Sequence, residues 1–159
     1  GLERVAIVDF DVHHGNGTQT IFEHDRRVLF AGSHQLPLYP GTGRRDETGE
    51  GNIVNAPLPP GTASAEFRAA WSQRLLPAAD AFKPQLLMIS AGFDAHRLDP
   101  LAQLQLEAAD FAWITHAICD LADDCCGGRV VSALEGGYDL DALAASVAAH
   151  VRVLMERGE

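Results

Sequence analysis

The sequence has few cysteines, and their arrangement excludes two common uses of this residue. Only three occur among 159 residues, at Cys119, Cys125 and Cys126. An odd number with two adjacent members does not suit a disulfide framework, and no pair has the CxxC spacing of a structural zinc site. We therefore expect reduced thiols, as in the cytoplasm.

Long apolar runs and an excess of positive charge are also missing. The sequence contains no run of about 18 apolar residues, which would predict a membrane span. It also lacks a charged and then apolar N-terminal segment, which would predict a signal peptide. The 12 Lys and Arg are outnumbered by 22 Asp and Glu, which gives a net charge of −10. This acidic balance argues against general nucleic-acid binding, although it is compatible with a cationic substrate.

The length fits about one domain. The chain starts with Gly1 and reaches an apolar run within five residues. We therefore expect residues 1–159 to form part of a larger domain. The oligomeric state stays open.

The main chemical signal is VAIVDFDVHHGNG, residues 5–17. Its first four residues are apolar and mostly β-branched, which predicts a buried parallel strand that runs into a loop. Alternate residues of a strand share a face, so Asp9, Asp11 and His13 are predicted to project to one side. Because these groups are costly to bury unpaired, a metal ion is favoured over the alternative of an acidic surface turn.

The remaining pattern alternates short apolar runs with amphipathic segments, which predicts an α/β fold with a parallel sheet. Strands are predicted at 5–8, 28–31, 86–89 and 129–134, a brief extended piece at 53–58, and helices at 18–24, 64–81, 103–123 and 141–156. Ser64 is predicted to cap the second helix. The Gly- and Pro-rich segment 33–61 is predicted to be a long loop with Tyr39 in a pocket wall.

Polar side chains follow three of the predicted strands. They are Asp9, Asp11, His13 and His14, then Asp94 and His96, then Glu135 and Tyr138. The carboxyl ends of parallel strands lie at one edge of a sheet, so these groups can converge. Asp11, His13 and Asp94 match the ligand count of a hydrolytic zinc site, and Tyr138 could donate a hydrogen bond to a developing oxyanion. Composition alone does not choose zinc over another divalent ion.

Four segments in order resemble the C-terminal half of the catalytic domain of the histone deacetylase superfamily, whose fold is shared with arginases. They are DFDVHHGNGT (9–18), YPGTG (39–43), SAGFDAH (90–96) and LEGGY (134–138). The last two forms are similar to the class II and bacterial acetylpolyamine amidohydrolase and acetoin-utilisation branches. The resemblance implies a three-layer α/β fold with a parallel sheet, of which this chain is a part.

The resemblance also implies an activity, the zinc-dependent hydrolysis of an acetyl amide by a metal-activated water. The substrate would be acetylated lysine or a small acetylated amine. Zinc would be bound by Asp11, His13 and Asp94, while Tyr138 would polarise the amide carbonyl. The implied residues of the substrate channel are Tyr39, Leu101, Gly136 and Gly137.

Monovalent cations, usually potassium, are implied as well. The implied ligands of the first are the Asp9 carboxylate and the main-chain oxygens of Asp9, Asp11 and His13. Those of the second are the main-chain oxygens of Phe22, Asp25 and Val28. The chain has Gly32 where many members of the superfamily place a serine hydroxyl on the first cation, and the adjacent Ser33 offers a hydroxyl only if the register shifts.

One family element is absent from the sequence, a Pro-Gly-His-His segment whose tandem histidines act as general acid and base. We therefore expect the 159 residues alone to be inactive, and to expose the hydrophobic edge of the 5–8 strand. Two other functions stay open: an arginase-like binuclear metallohydrolase with ligands from His14 and His96, and a non-catalytic module that binds a metal or an acetyl group. Three further histidines, His24, His116 and His150, are expected to be solvated, and His96 to lie at a rim.

Overall fold

The computed structural model describes residues 1–158, which form one parallel five-stranded sheet with helices. The strands are β1 (Val5–Asp9), β2 (Val28–Gln35), β3 (Ile53–Leu58), β4 (Leu86–Ala91) and β5 (Val130–Leu134), in the spatial order β3-β2-β1-β4-β5. The helices are α1 (Asn16–Phe22), α2 (Ser64–Ala70), a π-helical turn (Trp71–Leu75), α3 (Leu76–Phe82), α4 (Ala108–Cys126) and α5 (Leu140–Arg157). None of these helices is long and apolar enough to cross a membrane. The predicted α/β fold with a parallel sheet is confirmed.

Strand β1 lies at the centre of the sheet. It pairs in parallel with β2 on one side and with β4 on the other, so that Val8 lies between Ala31 and Ile89. The prediction that β1 would be an exposed hydrophobic edge is therefore wrong. The sequence could not show this because the pairing partners lie more than 20 residues away along the chain.

The two faces of the sheet are covered unequally. Helices α2 to α5 pack on one face, where Val8 and Leu87 join Trp71 and Phe111 in the main core. On the opposite face, Phe30, Ile7, Met88 and Val131 form one row across four strands. Helix α1 covers the first two, whereas Met88 and Val131 are 40 % and 53 % exposed.

Several predicted boundaries are corrected by polar contacts. Helix α4 begins at Ala108, not at residue 103, because Glu107 and Asp110 form a reciprocal capping box. The residues before it are extended, and Gln105 donates its main-chain N–H to the Thr62 carbonyl. Ser64 does not cap α2; its hydroxyl donates to Asp110 Oδ2 at 2.7 Å.

Candidate metal centre

The loop after β1 brings Asp11 and His13 against Asp94, which follows β4. His13 Nδ1 lies 3.1 Å from Asp11 Oδ1 and 3.0 Å from Asp94 Oδ2. Both carboxylates are buried, and His13 is partly buried. One ligand atom from each residue lies within 4.8 Å of the others. The three residues predicted from the sequence therefore meet at one point.

The chemistry of this donor set fits a divalent metal. An imidazole nitrogen carries at most one hydrogen, so His13 Nδ1 cannot donate to two carboxylates at once. Two oxygens and one nitrogen around a common point are typical ligands of zinc in hydrolytic sites. The hydrogen bonds with Asp11 and with Asp94 raise the pKa of His13 to about 10. Burial raises the pKa of Asp94.

Main-chain amides orient the two carboxylates. Asp94 Oδ1 accepts the Val12 N–H at 2.9 Å, and Asp11 Oδ2 accepts the Gly136 N–H at 2.9 Å. Asp9 Oδ1 accepts the Asp11 N–H at 3.0 Å, which turns the chain out of β1. The predicted strand alternation thus ends at Asp9, and Asp9 is not part of the three-residue cluster.

Gly92 and Gly136 allow this close approach. A Cβ atom at Gly92 would clash with the Asp11 carboxylate, and one at Gly136 would clash with the carboxylates of both Asp94 and Asp11. These two glycines are therefore required by space rather than by flexibility.

Asp9 is a third buried carboxylate, which lies beside the two of the cluster. It is 3 % exposed, and burial raises its pKa, as do the negative charges of Glu135, Asp11 and Asp94. This concentration of buried carboxylates fits a bound cation at Asp9. Gly32 is its partner in β2, whereas Ser33 accepts the Trp71 indole N–H at 3.0 Å. The Ser33 hydroxyl is thus engaged in the core and does not replace the missing serine.

The carbonyls implied for a second cation also converge, but on a protein group. Asn52 Nδ2 lies 2.8 Å from the Phe22 oxygen, 3.1 Å from the Asp25 oxygen and 2.9 Å from the Val28 oxygen. Asn52 Oδ1 accepts the Glu50 N–H at 3.0 Å, which fixes the orientation of the amide. An amide nitrogen carries two hydrogens, so Asn52 Nδ2 cannot donate to all three carbonyls at once, and a second cation bound by these carbonyls stays a prediction.

Comparison with known proteins agrees with these features. The family model described as "Histone deacetylase domain" matches residues 1–154. The chain belongs to the histone deacetylase family.

Relatives in this family come from plants, archaea and bacteria. The chain is 46 % identical over 159 residues to "Histone deacetylase 10, chloroplastic" of Oryza sativa subsp. japonica, covering 98 % of the chain and 36 % of the relative. It is 47 % identical over 145 residues to a "Probable deacetylase" of Archaeoglobus fulgidus, covering 89 % and 40 %. It is 42 % identical over 143 residues to a "Histone deacetylase-like amidohydrolase" of Pseudomonas aeruginosa, covering 87 % and 38 %.

Solved structures show the same fold. The HD domain of HDA15 superposes with a TM-score of 0.92 at 43 % identity, covering 100 % of this chain and 45 % of that one. The histone deacetylase Clr3 gives 0.90 at 36 % identity, covering 98 % and 27 %. The chain spans about two fifths of the three relatives' length, so it is a partial histone deacetylase domain.

Of the residues that the histone deacetylase resemblance places in a substrate channel, Leu101 and Tyr39 are 49 % and 80 % exposed, whereas Gly136 is buried and Gly137 is half-buried. Tyr138, the catalytic residue that the resemblance implies, is 54 % exposed. Burial raises the pKa of Tyr138, and so do the nearby charges of Asp94 and Asp11. The phenol of Tyr138 therefore lies within the field of the cluster, whereas Tyr39 is on a separate loop after β2.

His14 and His96 do not add ligands to the cluster. His14 Nδ1 lies 2.8 Å from Thr42 Oγ1, and His14 Nε2 lies 2.9 Å from Gln19 Oε1. His96 is buried, and its Nδ1 accepts the Leu98 N–H at 3.2 Å, so the prediction of a rim position is wrong. Within residues 1–158 only one group of three possible metal ligands is found. This geometry gives no support to an arginase-like binuclear site.

His150 was expected to be solvated and is instead buried between α4, α5 and β5. Its Nδ1 lies 2.7 Å from Thr115 Oγ1, and its Nε2 lies 2.9 Å from Ser132 Oγ. Burial lowers its pKa. His24 and His116 are exposed, as predicted.

Asp99 is a buried residue near the site that sequence reasoning missed. Its partners include Tyr138, 39 positions away, so no local spacing pattern could have pointed to it.

Proposed function

We propose that the protein hydrolyses an acetyl amide, with zinc held by Asp11, His13 and Asp94. The proposal rests on the convergence of these three side chains beside the loop that carries Tyr138. Zinc bound there would supply a Lewis acid to the amide carbonyl and to the attacking water. The deacetylase and amidohydrolase names of the relatives support the same reaction.

Tyr138 would donate a hydrogen bond to the carbonyl oxygen as negative charge develops on it. Burial and the nearby charges of Asp94 and Asp11 raise the pKa of Tyr138, which favours the protonated phenol that this role needs. The proton transfers themselves would use the tandem histidines of the family, which are not among these 159 residues.

The substrate would be acetylated lysine or a small acetylated amine. The narrow channel that takes this substrate would be lined by Tyr39, Leu101, Gly136 and Gly137. The net charge of −10 is compatible with an amine substrate and offers no support for nucleic-acid binding. The three free cysteines suit the cytoplasm or another reducing compartment.

A monovalent cation, potassium in our proposal, would bind at Asp9. Its charge would offset the carboxylate, which has only 3 % of its surface exposed. The main-chain oxygens of Asp11 and His13 would complete its shell.

The test is Tyr138→Phe in the full-length protein that the gene encodes, assayed with an acetyl-lysine peptide and an acetylated polyamine. We expect kcat to fall by about 10²–10³-fold because one oxyanion donor is lost. Zinc content should stay unchanged, since Tyr138 is not a proposed ligand. An unaltered affinity for acetyl-lysine in a protein that never turns it over would favour the non-catalytic binding module instead.

A further inference from the structure

Asp99 connects the loop after β4 to the loop after β5. It is 7 % exposed, and its two carboxylate oxygens accept different main-chain amides. Oδ1 accepts the Leu101 N–H at 2.9 Å, and Oδ2 accepts the Tyr138 N–H at 2.8 Å. The Asp99 N–H in turn donates to the His96 carbonyl at 2.9 Å. One buried side chain thus holds the main chain at both Leu101 and Tyr138.

The neighbours of Tyr138 are fixed by separate contacts. Gly136 donates its N–H to Asp11 Oδ2, and Asp139 accepts the Ala142 N–H at 2.8 Å as the N-cap of α5. Between them, Gly137 has a φ of 142°, a region where only glycine is unstrained. Because Gly137 is intrinsically free to rotate, the hydrogen bond from Tyr138 to Asp99 is what fixes the main chain at this point.

We propose that Asp99 is a positioning residue, which sets the place of Tyr138 relative to Asp11 and Asp94 and couples it to Leu101. Hydrogen bonds to an ionised acceptor are roughly twice as strong as neutral ones, so a buried carboxylate suits this role. The catalytic part of this inference rests on the proposed function. Its geometric part does not, because the two hydrogen bonds exist whatever the reaction is.

The kinetic test is Asp99→Asn in the full-length protein. An amide has one acceptor oxygen, so one of the two N–H groups loses its partner. We expect kcat to fall by about ten- to a hundredfold and KM to change by less than about threefold, because a misplacement near 1 Å can cost about 10²-fold in rate. Asp99→Glu keeps both acceptor oxygens and should recover part of kcat.

A double-mutant cycle separates positioning from general damage. In a Tyr138→Phe background, Asp99→Asn should lower kcat by less than about threefold, because the group that it positions is already gone. If Asp99→Asn lowered kcat by the same factor in the Tyr138→Phe background as in the wild type, the proposal would be overturned. If Asp99→Asn does not fold, the same cycle is run with Asp99→Glu.

Asp110→Asn is the matched control. Asp110 is also a buried carboxylate that accepts a main-chain N–H, from Glu107 at 3.0 Å, but it belongs to the start of α4. Its loss should lower the unfolding midpoint and leave kcat within about twofold. An equal loss of kcat in both variants would show that destabilisation alone is responsible, and would overturn the proposal.

A spectroscopic measurement does not depend on activity. With 3-fluorotyrosine incorporated, the ¹⁹F resonance of Tyr138 is identified by its disappearance in Tyr138→Phe. We expect this resonance to shift in Asp99→Asn and to stay in place in Asp110→Asn. A shift in a protein that hydrolyses no acetyl amide would support the geometric part while removing the proposed function. An unmoved resonance would overturn the positioning role itself.

Discussion

Gly136 lies where the candidate metal centre tolerates no side chain. Its N–H donates to Asp11, and a Cβ atom would clash with the carboxylates of Asp11 and Asp94. A residue at this position would therefore affect binding of the proposed zinc without being a ligand. Outer contacts of this kind typically change metal affinity by about 10–100-fold.

The corresponding prediction is that Gly136→Ala weakens zinc binding by at least about tenfold, as measured by competition with a chromogenic chelator. Gly17→Ala is the control, because a Cβ there would meet no atom within 4 Å. Gly17 lies in α1, so its replacement should raise stability by up to about 1 kcal/mol and leave zinc affinity unchanged. Equal zinc affinity in Gly136→Ala would contradict the crowding argument.

Some contacts of single residues could be predicted from the sequence, and others could not. Asp11 and Asp94 could be predicted as partners because parallel strands end at one edge of the sheet. Asn52 could not, because its three carbonyl partners lie 24 to 30 positions away and come from the end of α1, the turn after it and the start of β2. The same holds for His150, whose two partners come from α4 and β5.

At the scale of elements, β2 and the loop after it are joined through His34. His34 is 1 % exposed and its Nε2 donates to the Gly43 carbonyl at 2.9 Å. Burial lowers its pKa from 6.5 to about 4. The folded state therefore holds His34 neutral in a pH range where the unfolded chain binds a proton.

This difference predicts the direction of a pH effect. Above about pH 6.5, His34 is neutral in both the folded and the unfolded state, and the folded state has its full stability with respect to this group. As the pH drops from about 6.5 to about 4, His34 takes up a proton in the unfolded chain first, so the free energy of unfolding decreases. The shift corresponds to about 3 kcal/mol at most. His34→Gln should flatten this part of the curve of unfolding free energy against pH, whereas His24→Gln, at an exposed position, should not. Identical slopes in the wild type and His34→Gln would contradict the assignment.

Element boundaries were less predictable than element types. The apolar periodicity that predicts α4 continues backwards through Leu104, but the capping box at Glu107 starts the helix later. Residues 103–106 are not helical, and Gln105 and Leu106 form bridges to other loops through their main-chain N–H groups. Such contacts between loops leave no periodic signature in the sequence.

At the scale of the whole molecule, one face of the sheet carries exposed apolar side chains. Met88 and Val131 are adjacent in register and lie beside Ile21 of α1, which is 71 % exposed. Contiguous apolar patches on a protein surface favour association. Apolar surface is thus exposed on one face of β4 and β5, and not at the edge of β1 as the sequence predicted.

We therefore predict that the 159-residue chain produced alone self-associates, and that Val131→Lys reduces this association. Sedimentation velocity at several concentrations measures it. Val151→Lys is the control, since Val151 is 41 % exposed on α5, away from this face. Equal self-association in the wild type and Val131→Lys would show that another surface is responsible.

The proposed zinc site needs only three side chains, which come from two strand ends within this chain. Elemental analysis of the purified 159-residue chain, with Asp94→Ala and the exposed Asp46→Ala beside it, tests this most directly. We expect about one zinc per chain in the wild type and in Asp46→Ala, and none in Asp94→Ala. A folded wild-type chain that binds no zinc, or an Asp94→Ala variant that keeps it, would rule out this site.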